Sequence, residues 1–202
     1  MSMVCGFTSV SDETLKKIQE NPLLYWRLIA PDDPKMYLRA MNEGKRGFWS
    51  LFFKKKSEKS NAEVPGLPLS KDEGKDVYLD KAWHGIHFLL ARSAWEGDWP
   101  FNFIVAGGEV IEESDNGYGP SRFFSASQVQ EIHKLLSAIS KEDFEGRFVP
   151  EEMMKEDIYP TIWDRPKEED DTLKYLAEYF LELKQFIEKT EKAHLGAIVS
   201  LS

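Results

Sequence analysis

The stretch Val77 to Arg122, VYLDKAWHGIHFLLARSAWEGDWPFNFIVAGGEVIEESDNGYGPSR, decides how the chain is read. Trp83, Ile86, Leu89 and Leu90 recur at helical spacing, so a helix is expected, with Asp80 as its cap. An aromatic loop follows. Phe103 to Glu112 then reads as two short strands turned at Gly107-Gly108, the kind of dipeptide a tight hairpin needs. Asp115 to Arg122 is a glycine-rich loop, with Arg122 expected just before the next helix. Helix and hairpin so close together predict an α+β fold: a small mixed or antiparallel sheet packed against several helices.

Outward from this stretch the signals are mostly local. Met3 to Val10 is a short apolar strand that holds the single cysteine, Cys5, and Ser11 or Asp12 caps a helix after it. Leu15, Ile18, Leu23, Leu24 and Leu28 continue helical turns with a break at Asn21-Pro22. Downstream, Ser125 with Gln128 forms a capping box, flanked by Phe124 and Val129 as a hydrophobic staple. Ser140 with Asp143 is a second cap, and Pro150 to Met154 a further helical turn. Ile158 to Trp163 is extended, because the residue before Pro160 avoids helix. A long helix then carries Leu173, Leu176, Ala177, Phe180, Leu183 and Ile187 and is stopped by Gly196; Ala197 to Leu201 is a terminal strand that can pair with the N-terminal one.

A chain of 202 residues predicts one domain, and one this long buries about 70% of its unfolded surface. Ser57 to Lys75, rich in Ser, Lys, Glu, Pro and Gly, reads as a flexible insertion, with outer bounds at about 54–76. Before it, Phe48 to Lys56 has two readings: aromatics that cap the core ahead of solvated lysines, or a short segment that touches an anionic membrane or a partner.

The net charge of −9 disfavours a nucleic-acid binder, whose affinity comes from clustered Lys and Arg. Residues 141–202 hold 9 Lys+Arg against 16 Asp+Glu, so the last third is the acidic face. A lone cysteine, no secretion signal, no myristoylation start and no transmembrane run give a soluble, cytoplasmic expectation.

The chain resembles the YfbM-like family of small bacterial proteins, a domain of unknown function. Four stretches carry the resemblance: MSMVCGF at the N-terminus, DKAWHGIHFLL at Asp80 to Leu90, GGEVIEESDNGYGPSRFFSASQV at Gly107 to Val129, and IYPTIW at Ile158 to Trp163. The family's usual Met-Gly-Met start is Met-Ser-Met here. The resemblance implies a mixed α and β fold and brings no activity or cofactor with it. Asp80, Trp83, His87, Gly117, Tyr118, Gly119, Pro120, Arg122, Tyr159 and Trp163 match family-like motifs.

Three functional readings follow. The first is a non-catalytic binding module for a small anionic ligand or a peptide, with Asp80, Trp83, His84, His87, Tyr118, Arg122, Tyr159 and Trp163 as candidate ligand-binding residues. Glycine N–H groups and Arg122 are the chemistry that attracts an anion there. The second is an acidic antagonist or immunity-like protein that binds a basic partner, suggested by Glu168 to Asp171. The third is a hydrolase-like enzyme that pairs His84 or His87 with Asp80 or Asp115, or uses Ser121 or Ser125 as nucleophile. No nucleophile elbow accompanies that pairing. His84 and His87 share a helix face, but a zinc pair needs a third ligand. No catalytic residue, metal or cofactor is assigned.

Overall fold

The two ends of the chain meet in the middle of the sheet. Strand β1 (Cys5–Val10) runs antiparallel to β5 (Gly196–Leu201), from the pair Cys5/Leu201 to Val10/Gly196, as the apolar, β-branched sequences at both ends predict. Around this pair a computed structural model, describing residues 2–44, 64–115 and 117–202, builds an antiparallel sheet. Its order is β2-β1-β5-β4-β3, where β2 is Asp76–Tyr78, β3 Glu109–Val110 and β4 Arg122–Phe124.

Alternation along the strands gives the sheet two apolar faces. Cys5, Phe7, Phe124, Ala197 and Val199 join one buried cluster, with helices α4 (Trp83–Ala91), α5 (Ala126–Ser137), α6 (Lys141–Glu145), α7 (Pro150–Lys155) and α8 (Thr172–Lys192). Val10, Phe123 and Ile198 join another, with α1 (Asp12–Glu20), α2 (Tyr25–Ile29) and α3 (Pro34–Gly44). Two glycines make the close approaches possible. A Cβ at Gly196 would lie 2.3 Å from the Phe124 carbonyl of β4, and one at Gly85 would lie 2.7 Å from Leu176 of α8.

Local signals translate directly. Ser11 accepts from the Thr14 N–H, both capping boxes form, and α1 gives way to a 3-10 turn at Pro22–Leu24 before α2. Helix α3 adds to the helices expected from the sequence; Pro34 opens it, as proline without an N–H does at a first helical position. Helix α8 is capped by Asp171 and ends at Lys192; Gly196 instead begins β5.

The expected hairpin at Gly107-Gly108 is not formed. Phe103 to Ala106 is a run of turns, in which the Asn102 carbonyl accepts from the N–H groups of Val105, Ala106 and Gly107. The hairpin present pairs β3 with β4, Val110 opposite Arg122, with the glycine loop as its turn. Arg122 therefore belongs to a strand and does not precede a helix directly. Asp80 does not cap α4 either: it takes a left-handed φ of 44°, and the cap position is Ala82, with no side-chain bond.

Of the segment read as an insertion, 54–63 lies outside the described residues, as do Phe48 to Lys56 and the two readings they carried. Val64 to Lys75 is fastened to the fold. Val64, Leu67 and Leu69 pack on the second cluster, and the Glu73 carboxylate accepts from the N–H groups of Ser11 (2.7 Å) and Ser70 (2.6 Å). Burial works against the Glu73 charge, but these bonds and the Ser11 and Thr14 hydroxyls outweigh it and hold the pKa down at about 2. No described helix is long and apolar enough to cross a membrane.

Candidate functional site

Helix α4 is buried from Trp83 to Leu90, because the sheet, α8 and the loops on either side close over it. Five of the eight candidate residues share one bonded neighbourhood around its start. His84 Nε2 lies 2.7 Å from the Ala94 carbonyl, while its Nδ1 accepts from the Tyr159 N–H at 3.0 Å. A ring that donates at one nitrogen and accepts at the other is the neutral Nε2–H tautomer, consistent with a pKa pushed down by burial. The ring stacks on Trp83 at 4.8 Å and meets Trp95 at 4.3 Å. Trp83 donates to the Met3 carbonyl, the Tyr159 hydroxyl accepts from the Met3 N–H, and Trp163 donates to the Ile158 carbonyl at 2.6 Å. Asp80 accepts from the Tyr175 hydroxyl at 2.9 Å, and burial together with the Asp80 charge pushes that phenol up.

His87 and Arg122 form a second neighbourhood on the same side of the sheet. Arg122 leaves β4 on the face of Phe124, and its guanidinium donates to the carbonyls of Ile104 (2.6 Å), Gly107 and Phe103. It thereby holds the turn run that replaced the expected strand. His87 is fully buried, and neither ring nitrogen completes a hydrogen bond of good geometry among the described residues, although the Glu96 backbone lies near. Burial drives its pKa down to about 4, aided by His84 and Arg122 and opposed by the Glu96 backbone. Cys5 lies within reach of the Arg122 charge, but burial pushes its thiol up to about 12, so it stays protonated at neutral pH.

Tyr118 stands apart in the turn of the β3–β4 hairpin. The N–H groups of Gly117 and Gly119 in that turn point to Asp115 Oδ1, at 2.7 and 3.1 Å. The loop supplies its own anion. Among the described residues neither histidine of α4 is hydrogen-bonded to a carboxylate, and Ser121 is buried against the Tyr25 hydroxyl at 2.7 Å. Glu168 to Asp171 is partly engaged as well: Asp170 pairs with Arg165, and Asp171 caps α8.

Sequence reasoning missed a cleft of about 700 Å³ between β2 and the C-terminal half of α8. Val77 and Phe186 line it with Lys75, Asp76, Glu182, Gln185 and Lys189. Its signal in the sequence is the alternation Asp76-Val77-Tyr78, too short to stand out as a strand. A smaller cleft of about 360 Å³ lies beside Trp95, which is 55% exposed, with Glu96, Glu152, Glu156 and Arg92 around it.

Residues 1–200 match the family described as domain of unknown function (DUF1877). The chain belongs to the DUF1877 family. As a DUF1877 protein it is similar in structure to YfbM from Escherichia coli, itself a protein of unknown function. The TM-score is 0.58 at 14% identity, over 98% of this chain and 99% of that one. At that identity the likeness shows a shared fold. No curated protein matches the chain.

Proposed function

We propose that this protein is a non-catalytic binding module whose ligand is a peptide held in the cleft between β2 and α8. The cleft itself carries the reading: about 700 Å³, inside the range of roughly 300–1,000 Å³ usual for ligand sites. Its acids, Asp72 and Glu182, stand among its bases, Lys75, Lys189 and Lys192, while the Asp76 carboxylate is held by the Thr8 hydroxyl on the other face of β2. A peptide carrying both signs finds partners for each there. Val77 and Phe186 supply apolar contact.

The test is selection of random heptapeptides displayed on phage against the whole chain, followed by fluorescence anisotropy of the best synthetic binder. Gln185 is exposed on the cleft wall, so Gln185→Trp fills the cleft at little cost to the fold. It is expected to weaken binding at least about tenfold, or ~1.4 kcal/mol. Failure to select any peptide, or binding indifferent to Gln185→Trp, removes the reading.

A second reading has its own observation in the cleft beside Trp95. An exposed indole with three carboxylates suits a Lys or Arg side chain of a basic partner, through cation–π and charge attraction together. Binding of an Arg-containing heptapeptide should then fall with salt and with Trp95→Ala; indifference to both counts against it.

A further inference from the structure

We infer that the β2 edge is a strand-addition site: an extended segment of a partner protein pairs, main chain to main chain, with Asp76 and Tyr78 and becomes a sixth, antiparallel strand. The inference rests on the cleft reading above and specifies how a peptide is held in it. The register decides which groups are free. In an antiparallel pair, alternate residues exchange both hydrogen bonds with the neighbouring strand and the residues between them point away. Phe7 lies opposite Val77; the Leu79 N–H donates to the Cys5 carbonyl and the Ser9 N–H to the Lys75 carbonyl. Residues 75, 77 and 79 thus face β1, and the N–H and C=O groups of Asp76 and Tyr78 face outward. Among the described residues none of these four groups has a hydrogen-bond partner. Sheet order puts β2 at the edge, and its Asp76 and Val77 also line the cleft.

Alternation then dictates the side chains of the incoming segment. The residue opposite Val77 shares its face and meets Val77 and Phe186, so it is apolar. The next residue toward the segment's C-terminus lies opposite Asp76 and is basic; the one after that lies opposite Lys75, with Lys189 on the facing helix, and is acidic. The residue opposite Tyr78 lies beside a ring that is 65% exposed and is apolar or β-branched. Extended recognition of this kind draws affinity from main-chain bonds and specificity from alternate side chains. The shortness of β2 and the charges of Lys75 and Asp76 discourage open-ended stacking of copies, as natural edges require.

The experiment uses the whole chain and the heptapeptide selected above, resynthesised with single N-methyl groups. Methylating the amide that faces the Asp76 carbonyl removes a donor and is expected to weaken binding at least tenfold. Methylating the next amide, opposite Val77 and pointing away, is expected to change it less than about threefold. Tyr78→Pro removes one outward donor without touching a bond to β1, and should also cost at least tenfold. A peptide that is sensitive to Gln185→Trp but responds equally to both methylations overturns strand addition while leaving the cleft reading intact. Loss of all sensitivity to Gln185→Trp ends the cleft reading instead. Sedimentation showing a dimer that Tyr78→Pro dissolves would mean that a second copy occupies the edge, which also overturns the inference.

Discussion

Around α4, polar side chains are turned inward and bonded to the main chain: His84 bridges Ala94 and Tyr159, and Arg122 gathers the carbonyls of a turn. Along β2 the arrangement is reversed. The main-chain groups of Asp76 and Tyr78 face outward beside a cleft, with exposed side chains of both signs around them. The difference teaches that residue types able to carry chemistry are poor markers of function when the fold needs them to satisfy its own buried groups. Main-chain groups at a sheet edge without partners among the described residues are the more informative feature here.

The contrast can be broken most forcefully at Arg122. Arg122→Met strands the carbonyls of Ile104, Gly107 and Phe103, and is expected to cost roughly 3 kcal/mol or more in urea denaturation. A loss below about 1 kcal/mol would show that the guanidinium does not hold the turn. Next come the two histidines of α4, one turn apart. His84→Leu leaves the Ala94 carbonyl and Tyr159 N–H without partners, for a loss of about 2–3 kcal/mol. His87→Leu removes a ring without a hydrogen bond among the described residues, and should leave stability within about 1 kcal/mol at pH 7.

The pH profile sharpens that pair. His87 is held at about 4 in the fold, below its unfolded value of about 6.5, so between these values the unfolded chain binds a proton that the folded chain refuses. Stability must fall as pH drops through this window, by up to about 1.4 kcal/mol per unit from this group, and must rise with pH up to its end. His87→Leu should flatten that part of the curve; an unchanged slope would mean that the imidazole is protonated in the fold.

Glu73 tests the β2 side with a smaller effect. Its carboxylate pins the segment leading into β2, and its folded pKa of about 2 lies below the ordinary value of 4.5. The stabilisation is complete above the ordinary value and is lost as pH falls toward the folded one. Allowing for solvent screening, Glu73→Gln should cost about 1–2 kcal/mol at pH 7, and the gap from wild type should narrow at pH 3. A gap independent of pH would assign the loss to packing. The least effect belongs to Lys192→Ala, which removes a solvent-exposed ion pair with Glu188 and should leave the denaturation midpoint unchanged.

How far the sequence could be read follows from the range of each signal. A capping box needs residues three apart, so Ser125 with Gln128 and Ser140 with Asp143 were legible. The break at Pro22 and the stripe of α8 were legible for the same reason. Strand β3, two residues long, carries no periodicity of its own, and its pairing with β4 across the glycine loop replaced a hairpin that Gly107-Gly108 suggested locally. Asp80 looked like a cap because caps are a short-range pattern, but Tyr175, distant in sequence, claims its carboxylate.

The candidate site divides along the same line. The sequence grouped Asp80, Trp83, His84, His87, Tyr118, Arg122, Tyr159 and Trp163; the fold brings Asp80, Trp83, His84, Tyr159 and Trp163 together, sets His87 with Arg122 and leaves Tyr118 apart, because whether an indole or imidazole faces solvent or hydrocarbon depends on what packs above it. The sequence by itself determined the α+β class, the terminal strands, the two capping boxes and the helix stripes, because their signals are carried by neighbours within a few residues. Only the tertiary structure decided that Arg122 serves a turn, that His87 is buried without a hydrogen bond among the described residues, and that β2 is the edge strand of their sheet. Burial and strand order are fixed by contacts between segments far apart in the chain.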